Sequence, residues 1–278
     1  MVNHGLRDPR RADPAQPHID GPVKTLLTHY KGEDPPAMPQ HALPSTTVRW
    51  LVNMYRRGGP WGQALADLVT LAFFFLLRVG EYTPAPRAKR TVPLRRKDII
   101  LFQRGARLSH NAPLETLLGA DALTVRLAGQ KNGLRNVHLH HVATGDPSFC
   151  PVRAAARRVH ALRALPDDTP ISRTSIEVNR HVRGREIVAA VREAAAGDNL
   201  AAAGYDLARF GSHSLRSGGA THLKLVGCDS DLIKKLGRWS GNTYLQYIQN
   251  EVSHVMSGVS ARMAVALRLH YVGPLDNT

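Results

Sequence analysis

The residues with the most chemical content lie late in the chain: His213-Ser214-Leu215-Arg216, then Gly237-Arg238-Trp239, then Tyr247. His213 and Arg216 are three apart, so on a helix they share a face. Ser212 is placed to cap that helix, which puts both side chains in a first turn whose free backbone N–H groups favour an anion. Arg216 can give two parallel hydrogen bonds to non-bridging phosphate oxygens. A phenol, an imidazole, a guanidinium and an indole donor converging on one point suit attack on a phosphodiester. Taken alone, His-x-x-Arg is a common surface pattern, and Trp239 could equally be a core residue, since indole is a large apolar body.

Two earlier residues change that balance. Arg78, in Leu76-Leu77-Arg78-Val79-Gly80-Glu81, follows a nearly all-apolar stretch. A charge there is costly unless it is paired or meets an anion. Glu81, three residues on, is placed to orient it. Lys131 stands at the tip of an expected hairpin, a position suited to insertion beside a nucleic-acid backbone or to delivery of a proton; a solvated turn lysine is the plainer reading. Tyr244 and Tyr247 fall three apart on one expected helix.

The elements that must position these residues follow from pattern and punctuation. Residues 1–45 read as a Pro-rich tail or linker with one short helix near residues 23–30. Ser45-Thr46-Thr47 is the expected cap of a helix to about Arg57, ended by Gly58-Gly59-Pro60. A second helix, Trp61 to Leu77, is apolar all round and therefore belongs in the core. Residues 83–97 form a basic connector carrying Arg87, Lys89, Arg90, Arg95, Arg96 and Lys97. These six, with Arg238, are the expected phosphate-tracking contacts to DNA. Three β-like runs follow, Asp98–Phe102, Leu123–Leu127 and Arg135–His141. The last two flank Gln130-Lys131-Asn132-Gly133, where Asn-Gly signals a hairpin turn. Further helices are expected over Val152–Leu165, after Cys150-Pro151, and over Ser175–Ala196. Gly204–Ser212 reads as a connector. From His213 the chain reads as short helices joined by Gly227 and Gly237, with one amphipathic helix over Ser253–Tyr271. Gly218-Gly219 suits close helix packing. The expected fold class is mainly α with a small three-stranded antiparallel sheet, an α+β architecture, with residues 46–272 as one domain.

Composition narrows the partners. The chain has 278 residues, 43% of them hydrophobic, enough to bury a core. A formal charge of +15 implies a polyanionic partner, with nucleic acid ahead of a membrane. Cys150 and Cys228 are the two cysteines, which excludes a disulfide framework or a Cys-rich zinc site and fits a reducing, intracellular compartment. The apolar run Leu68–Leu77 is too short to span a bilayer, and the first residues lack the apolar core of a secretory signal. Val137-His138-Leu139-His140-His141 puts His138 and His140 on one strand face without carboxylate partners, so no metal is expected there. Cys150 has no His–Asp pair beside it to make it a nucleophile.

In their order and gaps, Arg78 with Glu81, Lys131 in a β-turn, His213-x-x-Arg216, Trp239 and Tyr247 resemble the catalytic domain of tyrosine recombinases, the phage integrase family. The matching phrases are Leu77-Arg78-Val79-Gly80-Glu81, Gly129-Gln130-Lys131-Asn132, His213 through Thr221, and Leu236-Gly237-Arg238-Trp239-Ser240. Gly-Arg-Trp-Ser followed by Tyr-Leu-Gln-Tyr-Ile resembles eukaryotic members carried by crypton- or DIRS-type mobile elements. The resemblance spans roughly residues 40–265. It implies a site-specific recombinase or integrase that acts on double-stranded DNA, as a homotetramer on paired sites, without metal or cofactor. The implied compartment is the nucleus in a eukaryote and otherwise the cytoplasm or nucleoid. It also implies roles. Tyr247 attacks the scissile phosphate to give a 3′-phosphotyrosyl bond, and Arg78 and Arg216 hold the non-bridging oxygens. Lys131 protonates the leaving 5′-oxygen, His213 helps move the tyrosine proton, Trp239 supports phosphate binding, and Glu81 braces Arg78. The C-terminal helix docks on a neighbouring protomer.

Two departures qualify the match. The gap from Trp239 to Tyr247 is one residue shorter than in many bacterial members, which leaves Tyr244 as a lesser candidate nucleophile. Family members usually carry an N-terminal helical domain that clamps DNA from the opposite side, and residues 1–45 are too short and Pro-rich to supply it. A truncated or domesticated DNA-binding protein with this fold and little strand exchange is therefore the competing expectation, with a type IB topoisomerase third.

Overall fold

A computed structural model describes residues 40–84, 91–131, 133–241 and Leu245. Over these residues the chain is α+β, with eight α-helices and a four-stranded antiparallel sheet.

Helix α1 (Ser45–Arg56) turns Thr47, Val48, Leu51 and Val52 inward at helical spacing. Its N-cap is Pro44, with no side-chain cap bond, so the Ser/Thr cap expected at 45–47 is not used. Residues 40–44, expected in the tail, are seated on the fold: Leu43 is fully buried, and its N–H donates to Ser214 O at 3.0 Å. Helix α2 (Gly59–Phe74) starts on Pro60, whose fixed φ suits a first turn, and is buried from Ala64 to Phe73 without a break. It stops short of the expected Leu77, because Leu76 adopts a left-handed φ of 48°. That turn makes Arg78 the N-cap of a separate one-turn helix, α3 (Val79–Tyr82), rather than the end of α2.

The sheet order is β2-β1-β3-β4, from β1 (Ile99–Gln103), β2 (Ala106–Arg107), β3 (Ala122–Gly129) and β4 (Arg135–Val142). The expected three strands are present and the expected count is corrected to four. Strand β2 is two residues long, too short to show alternation, and its turn is Arg104-Gly105, with φ of 50° and 80°, instead of an Asn-Gly pair. The β3–β4 hairpin is in register from Ala122↔Val142 to Gly129↔Arg135, which carries Lys131 beyond its last rung. His138 and His140 share the exposed face of β4, as expected. His141 faces inward against Phe75, its ring centroid 4.6 Å away.

Helix α4 (Leu114–Leu118) has no counterpart among the expected elements, being one short turn on the way into β3. Helix α5 (Pro151–Ala161) begins on Pro151 as expected and ends before Leu165. Helix α6 (Gly184–Gly197) starts well after the expected Ser175. The residues before it form a loop closed by the antiparallel bridge Arg173↔His181 and by Arg173, which donates to Ser175 O and Ile176 O. Helices α7 (Ser214–Leu225) and α8 (Ser230–Gly237) are the short helices expected around Gly227.

The core lies between α1, α2, α5 and α6 and the inner face of the sheet. A smaller cluster of Leu76, Ala220 and Ile233, joined by Leu236 and Trp239, fastens α7 and α8 to the turn after α2. Gly219 allows that approach, since a Cβ on it would lie 2.4 Å from Phe73 O, and Gly218 lets α7 meet the segment before α1, a Cβ there lying 2.3 Å from Leu43 O. Among the described residues no helix is long and apolar enough to cross a membrane.

Candidate active site

The turn after α2 is the site's foundation. Its left-handed Leu76 turns the Phe75 and Leu76 carbonyls toward α7 and α8, and two buried guanidinium groups meet them. Arg216, 1% exposed, donates to Leu76 O through Nη1 and to Gly237 O through Nη2. Arg238 donates to Leu76 O at 3.0 Å and to Phe75 O at 3.3 Å. Trp239 lies over Arg216, with the guanidinium carbon 4.3 Å from the ring centroid, a cation–π stack that also covers the group from water. Gly237 makes room for the indole, for a Cβ there would fall 1.6 Å from Trp239 Cζ3.

Glu81 is the acid at the centre. Its side chain is fully buried and bridges to two arginines: Oε1 to Arg78 Nη1 at 3.1 Å and Oε2 to Arg238 Nη2 at 2.8 Å. Oε2 also accepts the Arg78 backbone N–H at 2.8 Å, closing a capping box on α3. The expectation that Glu81 orients Arg78 therefore has a geometry, and Arg78 keeps a partly exposed face at 23%. Arg238 is corrected. Assigned to DNA on charge alone, it is 6% exposed and turned inward to Glu81. Burial pulls its pKa below the usual guanidinium value, and Glu81 opposes that pull. Its backbone is left-handed at φ 58°, a conformation that costs a non-glycine residue roughly 1–2 kcal/mol.

His213 is the N-cap of α7 and is exposed, while Arg216 sits one turn inside. No side chain caps this helix: Ser212 does not, and the His213 N–H donates instead to Gln40 Oε1 at 2.8 Å. Gln40 is a positioning contact that sequence reasoning missed, since it belongs to a segment resembling a tail and is far from His213 in sequence. Desolvation by the surrounding protein lowers the His213 pKa, and so do three cations, Arg216, Arg78 and Lys131. The imidazole is therefore held neutral and able to accept a proton.

Residues 78, 131, 213 and 216 come from α3, the β3–β4 turn and the start of α7, and their charges act on one imidazole. Lys131 is exposed at its turn. The preceding Gln130 is 1% exposed, and among the described residues neither end of its amide has a hydrogen-bond partner.

The basic connector resolves differently. Arg95 and Lys97 bridge to Asp168 at 2.5 and 2.6 Å. Arg96, 7% exposed, bridges to Asp167 and donates to Arg163 O at 3.1 Å. Their charge is met within the fold, so the expected phosphate strip is corrected for Arg96, which is buried, and has local counter-ions at Arg95 and Lys97. Arg87, Lys89, Arg90, Tyr244, Tyr247 and the helix expected over Ser253–Tyr271 lie outside the described residues. Exposed Arg183 and Arg185, at the start of α6, went unremarked in the sequence. They adjoin the site, because Gly184 packs on Val79 of α3, a Cβ there coming within 3.0 Å of Val79 Cγ2.

Among the described residues no group of three or more His, Cys, Asp or Glu is arranged to hold a metal. What the arrangement offers is three cations acting on one imidazole, with Arg78 and Arg216 held in place by hydrogen bonds, suited to an anion whose charge grows during reaction. Compared with models of known protein families and with curated proteins, the chain matches none.

Proposed function

We propose that the chain is a DNA strand transferase of the tyrosine recombinase type, a site-specific recombinase or integrase. The observation that carries this reading is the convergence of Arg78, Lys131 and Arg216 on His213 from three separate parts of the fold. An anion held there meets the partly exposed Arg78 directly, and Arg216, 1% exposed and bonded to the Leu76 and Gly237 carbonyls, adds its charge from the buried side; preorganised charge of this kind stabilises a transition state without reorganising. The fully buried Glu81 supports the same reading, because it holds Arg78 while leaving that guanidinium a partly exposed face.

In the proposed step Tyr247 Oη forms a bond to phosphorus and the bond from phosphorus to the 5′-oxygen breaks. The phenol proton passes to neutral His213, and Lys131 gives a proton to the leaving oxygen. The phosphotyrosyl linkage conserves the bond for religation to a new 5′-hydroxyl, so the reaction consumes no nucleotide. The role of Tyr247 rests on its place in the sequence. Double-stranded DNA is the proposed partner, with four protomers on paired sites.

The test is a pool of nicked random-sequence duplexes in which the short leaving strand diffuses away, trapping a covalent adduct visible on a denaturing gel. We expect an adduct with the wild type and with Tyr244→Phe, and none with Tyr247→Phe. DNA binding without any adduct would reject the enzyme in favour of a binding protein of this fold. Loss of the adduct in Tyr244→Phe alone would move the nucleophile.

A further inference from the structure

Arg238 has no role in the step above, yet it is among the most constrained side chains of the site. It is 6% exposed, takes a left-handed backbone, and is paired with the Glu81 carboxylate, which is itself fully buried. Stability alone is a weak reason for such a pair, since apolar residues of similar volume serve as well in many cores. Its connections give a better one. Through Nη2 it joins Glu81 Oε2 at 2.8 Å, and Glu81 in turn holds Arg78. Through the same nitrogen it joins the Leu76 carbonyl at 3.0 Å, which also accepts Arg216. The next residue, Trp239, is the one stacked on Arg216. Arg238 thus touches the mount of both arginines assigned to the anion site, and its own guanidinium is turned inward to Glu81.

We propose that Arg238 is a positioning residue, a buried tie that sets the separation of Arg78 and Arg216 and shares out the charge of Glu81 between Arg78 and itself. This rests on the anion-site reading above, and it adds that the site's charge is tuned from behind. With Arg238 in place the Glu81 carboxylate is divided between two cations. Without it, the whole negative charge falls on Arg78 and weakens the cationic field at the site. The charged groups that bear on His213 from the elements around it are Arg216, Arg78 and Lys131.

The test uses the whole chain and reads the His213 imidazole by proton NMR, its resonance assigned by the loss of signal in His213→Asn. In the wild type His213 titrates below the ordinary 6.5. Arg238→Met should move it upward, Arg238→Lys should hold it closer to wild type, and Arg238→Met with Glu81→Gln should bring it back down, because the unshared carboxylate is gone. In parallel, adduct formation by Arg238→Met should fall about 10²-fold, as small misplacements of reacting groups cost that much, with DNA affinity changed less than about threefold. A folded Arg238→Met whose His213 titrates as in the wild type overturns the proposal. If Arg238→Met does not fold, the double variant carries the test: folded with His213 at or below the wild-type position supports the tie, and failure to fold makes Arg238 a residue of the core alone. A wild-type His213 that titrates at 6.5 or above would instead remove the cation cluster on which the proposed function stands.

Discussion

Arg216 shows why residue type matters more than charge at this site. Its plane is held by two carbonyls, Leu76 O and Gly237 O, and by the face of Trp239. A guanidinium is flat and can donate in several directions at once, whereas a lysine ammonium has neither the plane to stack nor the fork to span two acceptors. Arg216→Lys keeps the charge and should still fail. We expect adduct formation on nicked duplexes to fall by about 10²–10³-fold, the usual consequence of losing one fixed transition-state donor. DNA affinity measured by filter binding should change little, since one phosphate contact is a small share of the total. Equal losses in rate and affinity would make Arg216 a binding residue. In the sequence, His213 and Arg216 were legible as an anion pair because they are local. The burial of Arg216 was not, because its acceptors lie 140 and 21 residues away.

At the scale of elements, the site depends on how closely α7 can approach the turn after α2. Gly219 sets that distance against Phe73 O and Leu76 Cδ2, Gly218 sets how closely the same helix meets Leu43 O before α1, and backbone oxygens cannot swing aside. Gly218→Ala should therefore destabilise the fold by about 1–3 kcal/mol, the usual cost of overpacking. Gly241→Ala, with nothing among the described residues within 4 Å of its added Cβ, should be close to neutral. Thermal melts of the two variants check this, and equal melting temperatures would mean that α7 is not packed as described. Close packing at this Gly pair was readable from the sequence. The helix boundaries that matter most were not, because the stop of α2 depends on a strained Leu76 whose carbonyl is met by arginines of α7 and of the C-cap of α8. Strand β2 escaped for a different reason: two residues carry no period.

For the whole molecule, the histidines make stability depend on pH in one direction. His41, His110, His141, His160, His181, His213 and His222 are all shifted below 6.5, in each case first by desolvation. An unfolded chain takes up these protons near 6.5 and the folded chain only at lower pH, so acidification favours unfolding. Asp67, whose pKa burial raises, contributes with the opposite sign, but it stands against seven. The carboxylates of Asp168, Glu177 and Glu186 are shifted down and add their loss only at still lower pH. The melting temperature should hold steady above pH 7, begin to fall as pH passes below about 6.5 and keep falling through pH 5. A flat profile from pH 7.5 to 5 would contradict the desolvation of these rings. The net charge of +15 adds self-repulsion that grows over the same range.

The sequence by itself determined the chemical inventory of this protein and its order: Arg78 with Glu81, Lys131 at a turn, His213 with Arg216, then Trp239 and Tyr247. It also determined the α+β class, because local periodicity and Gly and Pro punctuation need no distant partner. Only the tertiary structure decided where the charges go. Arg238 and the Arg95–Lys97 strip carry the same sign as Arg78, and on composition they were indistinguishable from it. The fold gave Arg96, Arg216 and Arg238 buried acceptors, paired Arg95 and Lys97 with Asp168, and left Arg78 partly exposed, with its charge acting on His213. Charge is a property of a residue, whereas burial and pairing belong to segments brought together from far apart in the chain, and those contacts settle whether a cation serves the core or a ligand.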